Sequence, residues 1–296
     1  MSRIRGRRWG GRDGYVRVAV LTPAKPRKGM NLNPIAVPTF LMAIALFWIG
    51  GAVGCKGDSK TPKLWLLLLA FFVSVPGCLF ALYYAHFFDR AAWFYYLRAL
   101  PYSELTASGL GLSAGVLQSW LQPKALGEKL VVPTAFAVML FVPFMKSALD
   151  PVDDTRLHDA CEGEVCRQST PSTCGPSSAA TLLKFFGQLA SEKKLARECF
   201  TYRGGTEIWY IARAFRRRGF IADFVIQPPD RISPPSPSIA GVVLPGGAGH
   251  FIAVLSESPD HTTIGDPLKG KLILTKAELN AAYHFTGFFL VIQQRS

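Results

Sequence analysis

Long stretches without charge limit what this chain can fold into. Met30–Cys55 and Leu64–Phe88 contain no Asp, Glu, Lys or Arg, and Leu130–Leu149 contains only Lys146. About twenty apolar residues in a helix reach across the hydrocarbon core of a bilayer. The runs therefore predict three transmembrane helices, at about 33–54, 64–86 and 130–149. A cleaved signal peptide fits the first run poorly, because the run is too long and no small-x-small site follows. Lys146 sits near the end of the last run, where a long side chain can snorkel to the interface. Tyr83, Tyr84, His86, Trp93, Tyr95 and Tyr96 cluster after the second run, like the aromatic belt of a membrane–water interface.

The polar segments set the expected organisation. Residues 1–29 are rich in Arg, Gly and Pro without apolar period and read as a disordered basic tail. Met30 is an alternative start. Leu105–Leu121 is uncharged but full of Gly, Ser and Gln. It reads as an interfacial or amphipathic hairpin rather than a further crossing. Neither a GxxxG packing signature nor a buried acid–base pair is read as marking a transport pathway, so the expectation for residues 30–149 is anchoring.

Residues 1–30 hold nine Arg/Lys and one Asp, whereas residues 150–296 hold sixteen Arg/Lys and fifteen Asp/Glu. A nucleic-acid binder would carry its basic surface on the folded domain, so nucleic acid is not an expected partner. The tail instead suits the positive-inside rule. Three crossings would put the two ends of the chain on opposite faces. The second half would then lie outside the cytoplasm, behind a multi-pass inner-membrane anchor. An additional crossing would reverse that.

The second half carries the chemistry. Gln168 to Gly187 begins with turn formers. It continues into Ala179, Leu182, Leu183 and Phe186, one apolar helix face, and Gly187 suits the helix end. Pro176 fits a first helical turn. Cys174 therefore stands at the start of a helix, where the partial positive charge of the N-terminus favours thiolate over thiol. His250 opens the apolar strand His250–Ser256. Asp266 ends the strand Thr262–Gly265 and precedes Pro267 and Gly270. Gln168 supplies a side-chain N–H six residues before the sulfur. A nucleophile, a base, an orienter for that base and an oxyanion donor are what acyl transfer through a cysteine requires.

In type, order and spacing, Gln168, Cys174, Gly175, His250, Asp266, Pro267 and Gly270 resemble the pattern of the C39 family of papain-like cysteine peptidases. The best-known members of that family are fused to bacteriocin-exporting ABC transporters and remove double-glycine leader peptides. The resemblance covers about residues 150–296. It implies an α+β papain-like domain, helices followed by an antiparallel sheet, behind an all-α transmembrane region. It also implies a thiol endopeptidase with Cys174, His250 and Asp266 as triad and Gln168 as oxyanion donor. The implied substrate is a peptide or protein, cleaved after small residues, with a separate exporter as a possible partner. No cofactor is implied. The chain contains no Walker motif. Two alternatives share these residues: a non-hydrolytic peptide-binding module and a transglutaminase-type acyl transferase.

The remaining pattern agrees with α+β order. Ile208, Ile211, Ala212 and Phe215 form a helix stripe, with Arg213, Arg216 and Arg217 read as its solvated face. Strands follow at Phe220–Ile226, Ile239–Leu244 and Phe285–Gln293, and Thr275–Glu278 is a capping box. Cys161, Cys166 and Cys199 allow a disulfide between the first two or from either to Cys199. A zinc site from Cys161, Cys166 and His158 matches no common spacing, so no metal is expected.

Overall fold

The computed structural model describes residues 33–54, 60–228 and 231–295; the basic tail read as disordered lies outside them. Three helices are long and apolar enough to cross a membrane: α1 (Ala36–Gly54), Leu64–Tyr83 within α2 (Lys60–Tyr83), and α5 (Leu126–Leu149). Leu41, Trp48, Phe72 and Val138 point outward from them, the arrangement hydrocarbon favours and water does not.

Between α2 and α5 come α3 (Ala92–Ala99), a 3₁₀ turn at Ser103–Ser108, and α4 (Gly109–Leu121). The interfacial hairpin expected here is instead this turn and one helix, buried along Gly109–Gly111 and Ser113–Val116. Its small residues are a packing face. A Cβ at Gly111 would stand 2.0 Å from the Ala43 carbonyl oxygen, and one at Gly115 would stand 2.0 Å from that of Phe47. Gly50 and Gly54 make similarly close approaches to Leu112 and Ser119. Two Gly-x-x-x-Gly pairs therefore let the α1 and α4 backbones touch, a signature passed over in the sequence. Ser113 Oγ donates to the Ala70 carbonyl at 2.8 Å and ties α4 to α2.

These contacts fix direction. Along α4, Gly111, Gly115 and Ser119 meet Ala43, Phe47 and Gly54 in turn, so α4 runs parallel to α1. At its far end Gln118 Nε2 donates to the Lys129 carbonyl, 3.0 Å away at the start of α5. Thirteen residues span only about 20 Å, yet α4 carries the chain from one end of the bundle to the other. Hence α1 begins and α5 ends on the same face. Asn33 Nδ2 donates to the Tyr210 hydroxyl at 3.3 Å, and Lys146 Nζ donates to Glu207 Oε1 at 2.9 Å. The three long apolar helices are present, and the short glycine-rich α4, running parallel to α1, brings the start of α1 and the end of α5 to the same end of the bundle.

The C-terminal half is α+β. A hairpin of β1 (Ala160–Glu162) and β2 (Val165–Arg167) carries a Cys161–Cys166 disulfide, while Cys199 is a buried free thiol. Helices α6 (Cys174–Phe185), α7 (Glu192–Glu198) and α8 (Ile208–Arg217) follow. Then come β3 (Phe220–Ile226), β4 (Ser238–Val243), β5 (Gly249–Glu257), β6 (Thr262–Asp266), β7 (Gly270–Leu274), α9 (Lys276–Ala282) and β8 (His284–Gln294). The six strands form one antiparallel sheet in the order β3-β8-β4-β5-β6-β7. Ala179, Leu182 and Leu183 of α6 are buried against this sheet and α8.

The two halves meet through α3, the 3₁₀ turn and α8. Arg213, expected on a solvated face, is only 9 % exposed. Its Nη1 lies 3.0 Å from Glu104 Oε1, and its Nη2 donates to the Arg98 carbonyl and to Ser103 Oγ. Arg98 lies between the rings of Phe80 and Trp209, 4.2 and 4.7 Å from their centroids. A charge on the apolar side of α8 is tolerated because the other half of the molecule brings its counter-ion. Arg217, by contrast, is exposed and pairs with Glu198 at 2.7 Å.

Candidate active site

Cys174 is the first residue of α6, and it is buried. The loop before it is built from hydroxyls. Thr173 Oγ1 donates to the Thr170 carbonyl and accepts from the Thr170 N–H, at 3.0 and 3.1 Å. These bonds bend the chain so that Cys174 heads the helix. Gly175 keeps α6 close to α8, since a Cβ there would lie 2.9 Å from Ile211 Cδ1. Ser178 Oγ donates to the Phe251 carbonyl at 3.0 Å and ties α6 to the strand that carries His250.

Strand geometry brings the other two residues together. Val254 pairs with Ile264 across β5 and β6. Successive side chains alternate faces, so His250, Ile252, Val254, Ile264 and Asp266 share one. The sixteen-residue spacing is thus a strand, a turn and a return strand. His250 Nε2 lies 3.0 Å from Asp266 Oδ1. Cys174 and His250 line the same cavity, and the sulfur favours the charged form of the ring. With Nε2 taken by Asp266, Nδ1 is the nitrogen left for the sulfur.

Asp266 is fully buried and fully engaged. Oδ1 also accepts from the Leu268 N–H at 2.8 Å, and Oδ2 accepts from the Tyr283 hydroxyl at 2.6 Å. Burial pushes its pKa up, but the donors on His250, Tyr283 and Leu268 outweigh it and hold the carboxyl at about 2. For His250, burial opposes the charged ring. The bond to Asp266 and the Cys174 sulfur outweigh that in turn and carry it up to about 9. Burial and the adjacent carboxylate both raise the Tyr283 hydroxyl, so it remains a donor. The constellation therefore holds an imidazolium at neutral pH, between a carboxylate and a sulfur. Gly270 closes the turn after Asp266 at φ +91°, a conformation that glycine takes without strain.

Gln168 follows β2, and its N–H donates to the Pro267 carbonyl at 3.1 Å. Its side-chain Nε2 donates to the Thr170 carbonyl at 2.9 Å, and its Oε1 is buried without a hydrogen-bond partner. An amide nitrogen carries two hydrogens, so one remains. Cys161 and Cys166 are consumed by their disulfide and are not available to a metal.

A cavity of about 290 Å³ opens beside Cys174 and His250. Gly204, Gly205, Gly241 and Gly249 line it, as do Tyr83, Tyr95 and Phe288. Tyr283 and Glu207 had no signal in the sequence, and Tyr83 and Tyr95 read there only as part of an aromatic belt; folding brings both beside residues of the C-terminal half.

Residues 163–296 match the model of the Peptidase C39 family. An uncharacterized protein of Methanothermobacter marburgensis is 29 % identical over 130 residues, which is 44 % of this chain and 88 % of that protein. Among solved structures, the double-glycine-motif protease of an AMS/PCAT transporter, in complex with its leader peptide, is 20 % identical. That match covers 47 % of this chain and 94 % of that one, with a TM-score of 0.38. The peptidase domain of Streptococcus ComA, a bifunctional ABC transporter, is also 20 % identical, covering 47 % and 98 % with a TM-score of 0.36.

Proposed function

Starting from the Peptidase C39 match at residues 163–296, we propose that this chain is a membrane-anchored cysteine endopeptidase with Cys174 as nucleophile. The observation that carries the reading is that one imidazole, His250, is hydrogen-bonded to Asp266 and lines the same cavity as Cys174. In this reading the thiolate attacks the carbonyl carbon of a peptide bond. His250 gives its proton to the departing amine as the C–N bond breaks, leaving a thioester. Water then attacks the thioester while His250 takes its proton, and the sulfur leaves. Asp266 fixes the ring and stabilises its charge. The first N–H groups of a helix have no intrahelical acceptor, so the Cys174 N–H and the spare Gln168 hydrogen are the oxyanion donors.

The reading places the three apolar helices and α4 in the bilayer and the C-terminal half outside the cytoplasm. The Cys161–Cys166 disulfide supports this side. So do Lys56, Lys60, Lys63, Lys124 and Lys129, which lie in the connections from α1 to α2 and from α4 to α5 or in the first residues of α2 and α5. The nine Arg/Lys of residues 1–30 pull the other way, because α1 begins on the same face as the C-terminal half. A cysteine placed at Gln122 in spheroplasts decides the matter: protection from an impermeant thiol reagent is expected, and modification would reverse the orientation.

Activity is tested on the full chain in detergent, by mass spectrometry of peptide mixtures. Hydrolysed products from wild type, and none from Cys174→Ala or His250→Ala, are expected. Cross-linked products would make the chain an acyl transferase. Binding without turnover, and no labelling of Cys174 by a thiol probe, would make it a peptide-binding module.

A further inference from the structure

The cavity beside Cys174 is not built by the C-terminal half alone. Tyr83 is the last residue of α2 and Tyr95 belongs to α3, yet both line the cavity together with Cys174 and His250. The wall they form is continuous. Tyr95 lies 6.3 Å from Tyr83, centroid to centroid, and 4.9 Å from Phe288 of β8. Tyr83 is held from behind by Phe94, stacked at 5.1 Å, and by Trp209, edge-on at 5.1 Å. The wall is therefore a rigid aromatic surface supplied jointly by the two halves.

Its charge is already spent. Among the described residues, Glu207 is the one carboxylate lining the cavity. It accepts from Lys146 Nζ at 2.9 Å, from the Tyr202 hydroxyl at 3.4 Å and from the Tyr83 hydroxyl at 3.5 Å. Lys146 Nζ in turn lies over the rings of Tyr84 and Tyr202. Among the described residues, the charges lining that end, on Glu207 and the Lys146 beside it, are paired with each other. Aromatic rings backed by a neutralised acid suit an uncharged aliphatic or aromatic side chain.

The wall also stands where α2 leaves the bilayer. Tyr83 closes the candidate span Leu64–Tyr83. Just beyond it Phe87, Trp93 and Tyr102 are more than half exposed, as side chains at a membrane–water interface are. A peptide reaching Cys174 past Tyr83 and Tyr95 therefore passes along the bilayer surface.

We propose that Tyr83 and Tyr95 are specificity-determining residues of the peptidase cleft. They receive an uncharged aliphatic or aromatic side chain a few residues from the cleaved bond, in a peptide segment that emerges from the membrane. This rests on the endopeptidase reading above.

The test uses the full chain in lipid nanodiscs and separates the two claims by measuring binding apart from turnover. The trap variant Cys174→Ala is titrated with fluorescent peptides that carry Leu, Phe, Lys or Gly at each position around a Gly-Gly pair. One position is expected at which Leu or Phe binds about tenfold more tightly than Gly or Lys. Adding Tyr95→Ala or Tyr83→Ala abolishes that preference, while the Gly peptide keeps its affinity and Tyr95→Phe keeps the preference. Retained discrimination in both alanine variants overturns the proposal whether or not wild type cleaves anything. Loss of all binding in both, with Tyr95→Phe also impaired, overturns it in favour of a purely structural wall. Absence of cleavage by wild type, with discrimination intact, would sink the endopeptidase reading and leave the pocket assignment standing.

Discussion

Two clusters of buried charge can be set side by side. Around Asp266, each carboxylate oxygen has a donor in line, from His250, Leu268 and Tyr283. Around Glu104, two guanidinium groups converge on one carboxylate; Oε2 accepts from both Arg213 Nη1 and Nη2 at 3.1 Å, while Arg98 Nη1 and Arg213 Nε are left without a hydrogen-bond partner. The first cluster is saturated and contains a ring that can take or give a proton. The second is under-satisfied and contains groups that a protein does not deprotonate. Buried ion pairs are weak evidence for net stability. What the second cluster does supply is a unique seating of one half on the other, since Glu104 belongs to the membrane half and Arg213 to α8. Saturated geometry with a titrating member marks chemistry; strained sharing of fixed charge marks a joint.

The largest break in that comparison is expected from Cys174→Ala, which should lower hydrolysis by a factor on the order of 10⁴ or more. It should leave thermal unfolding in detergent within about 1 kcal/mol of wild type, because a small side chain is removed and the His250 ring keeps its partner Asp266. The opposite pattern is expected at the joint. Arg213→Met leaves Glu104 buried with Arg98 alone, 3.9 Å away, and should cost about 3–5 kcal/mol. Cys174 in the surviving folded fraction should still label with a thiol probe. If Arg213→Met left stability untouched but silenced the probe, the joint would be part of the active site and the contrast would fail.

The two clusters differ in how far they could be read without coordinates. Cys174, His250 and Asp266 announce themselves because helix start, strand start and strand end each leave a local signature, and a fixed hairpin length separates the last two. The Glu104–Arg213 pair has no such signature. The two residues lie 109 positions apart, and three arginines near the end of an amphipathic helix look alike until the partner arrives. The same limit hid α4, since glycine and serine serve equally in a water-facing loop and in a helix pressed against backbone. Tyr283 was missed because it follows an unremarkable capped helix, and only folding aims its hydroxyl at Asp266.

A pH scan sharpens the contrast further. His250 is raised from 6.5 to about 9 on folding. Its contribution to stability is therefore full below about 6.5 and lost as pH rises through about 9. Asp266 is lowered from 3.8 to about 2, so its contribution is present above about 4 and lost as pH falls toward 2. Cleavage should fall as pH rises past about 9, where the imidazolium that protonates the leaving amine disappears. The stability difference between wild type and Arg213→Met should instead be the same at pH 6 and pH 9, since a guanidinium does not titrate there. A difference that grew with pH would tie the joint to His250.

The smallest effect expected is the most discriminating. Tyr283→Phe keeps the ring and removes one of the three donors to Asp266. With one donor gone, the Asp266 carboxyl should titrate higher, so the acid loss of stability should still begin near pH 4 but be smaller and finish at a higher pH than in wild type. The His250–Asp266 bond is untouched, so the alkaline limb of cleavage should stay near pH 9. The imidazolium is oriented by a less firmly held carboxylate, so kcat/KM at neutral pH should fall less than about tenfold, in keeping with about 1 kcal/mol for one hydrogen bond. Tyr283→Leu separates this positioning role from packing, because it loses ring contacts with Phe285 as well. If the Phe variant matches wild type in both acid stability and kcat/KM while the Leu variant is merely destabilised, Tyr283 only fills space. The Asp266 cluster would then need just two donors, and its saturation would no longer distinguish it from the joint.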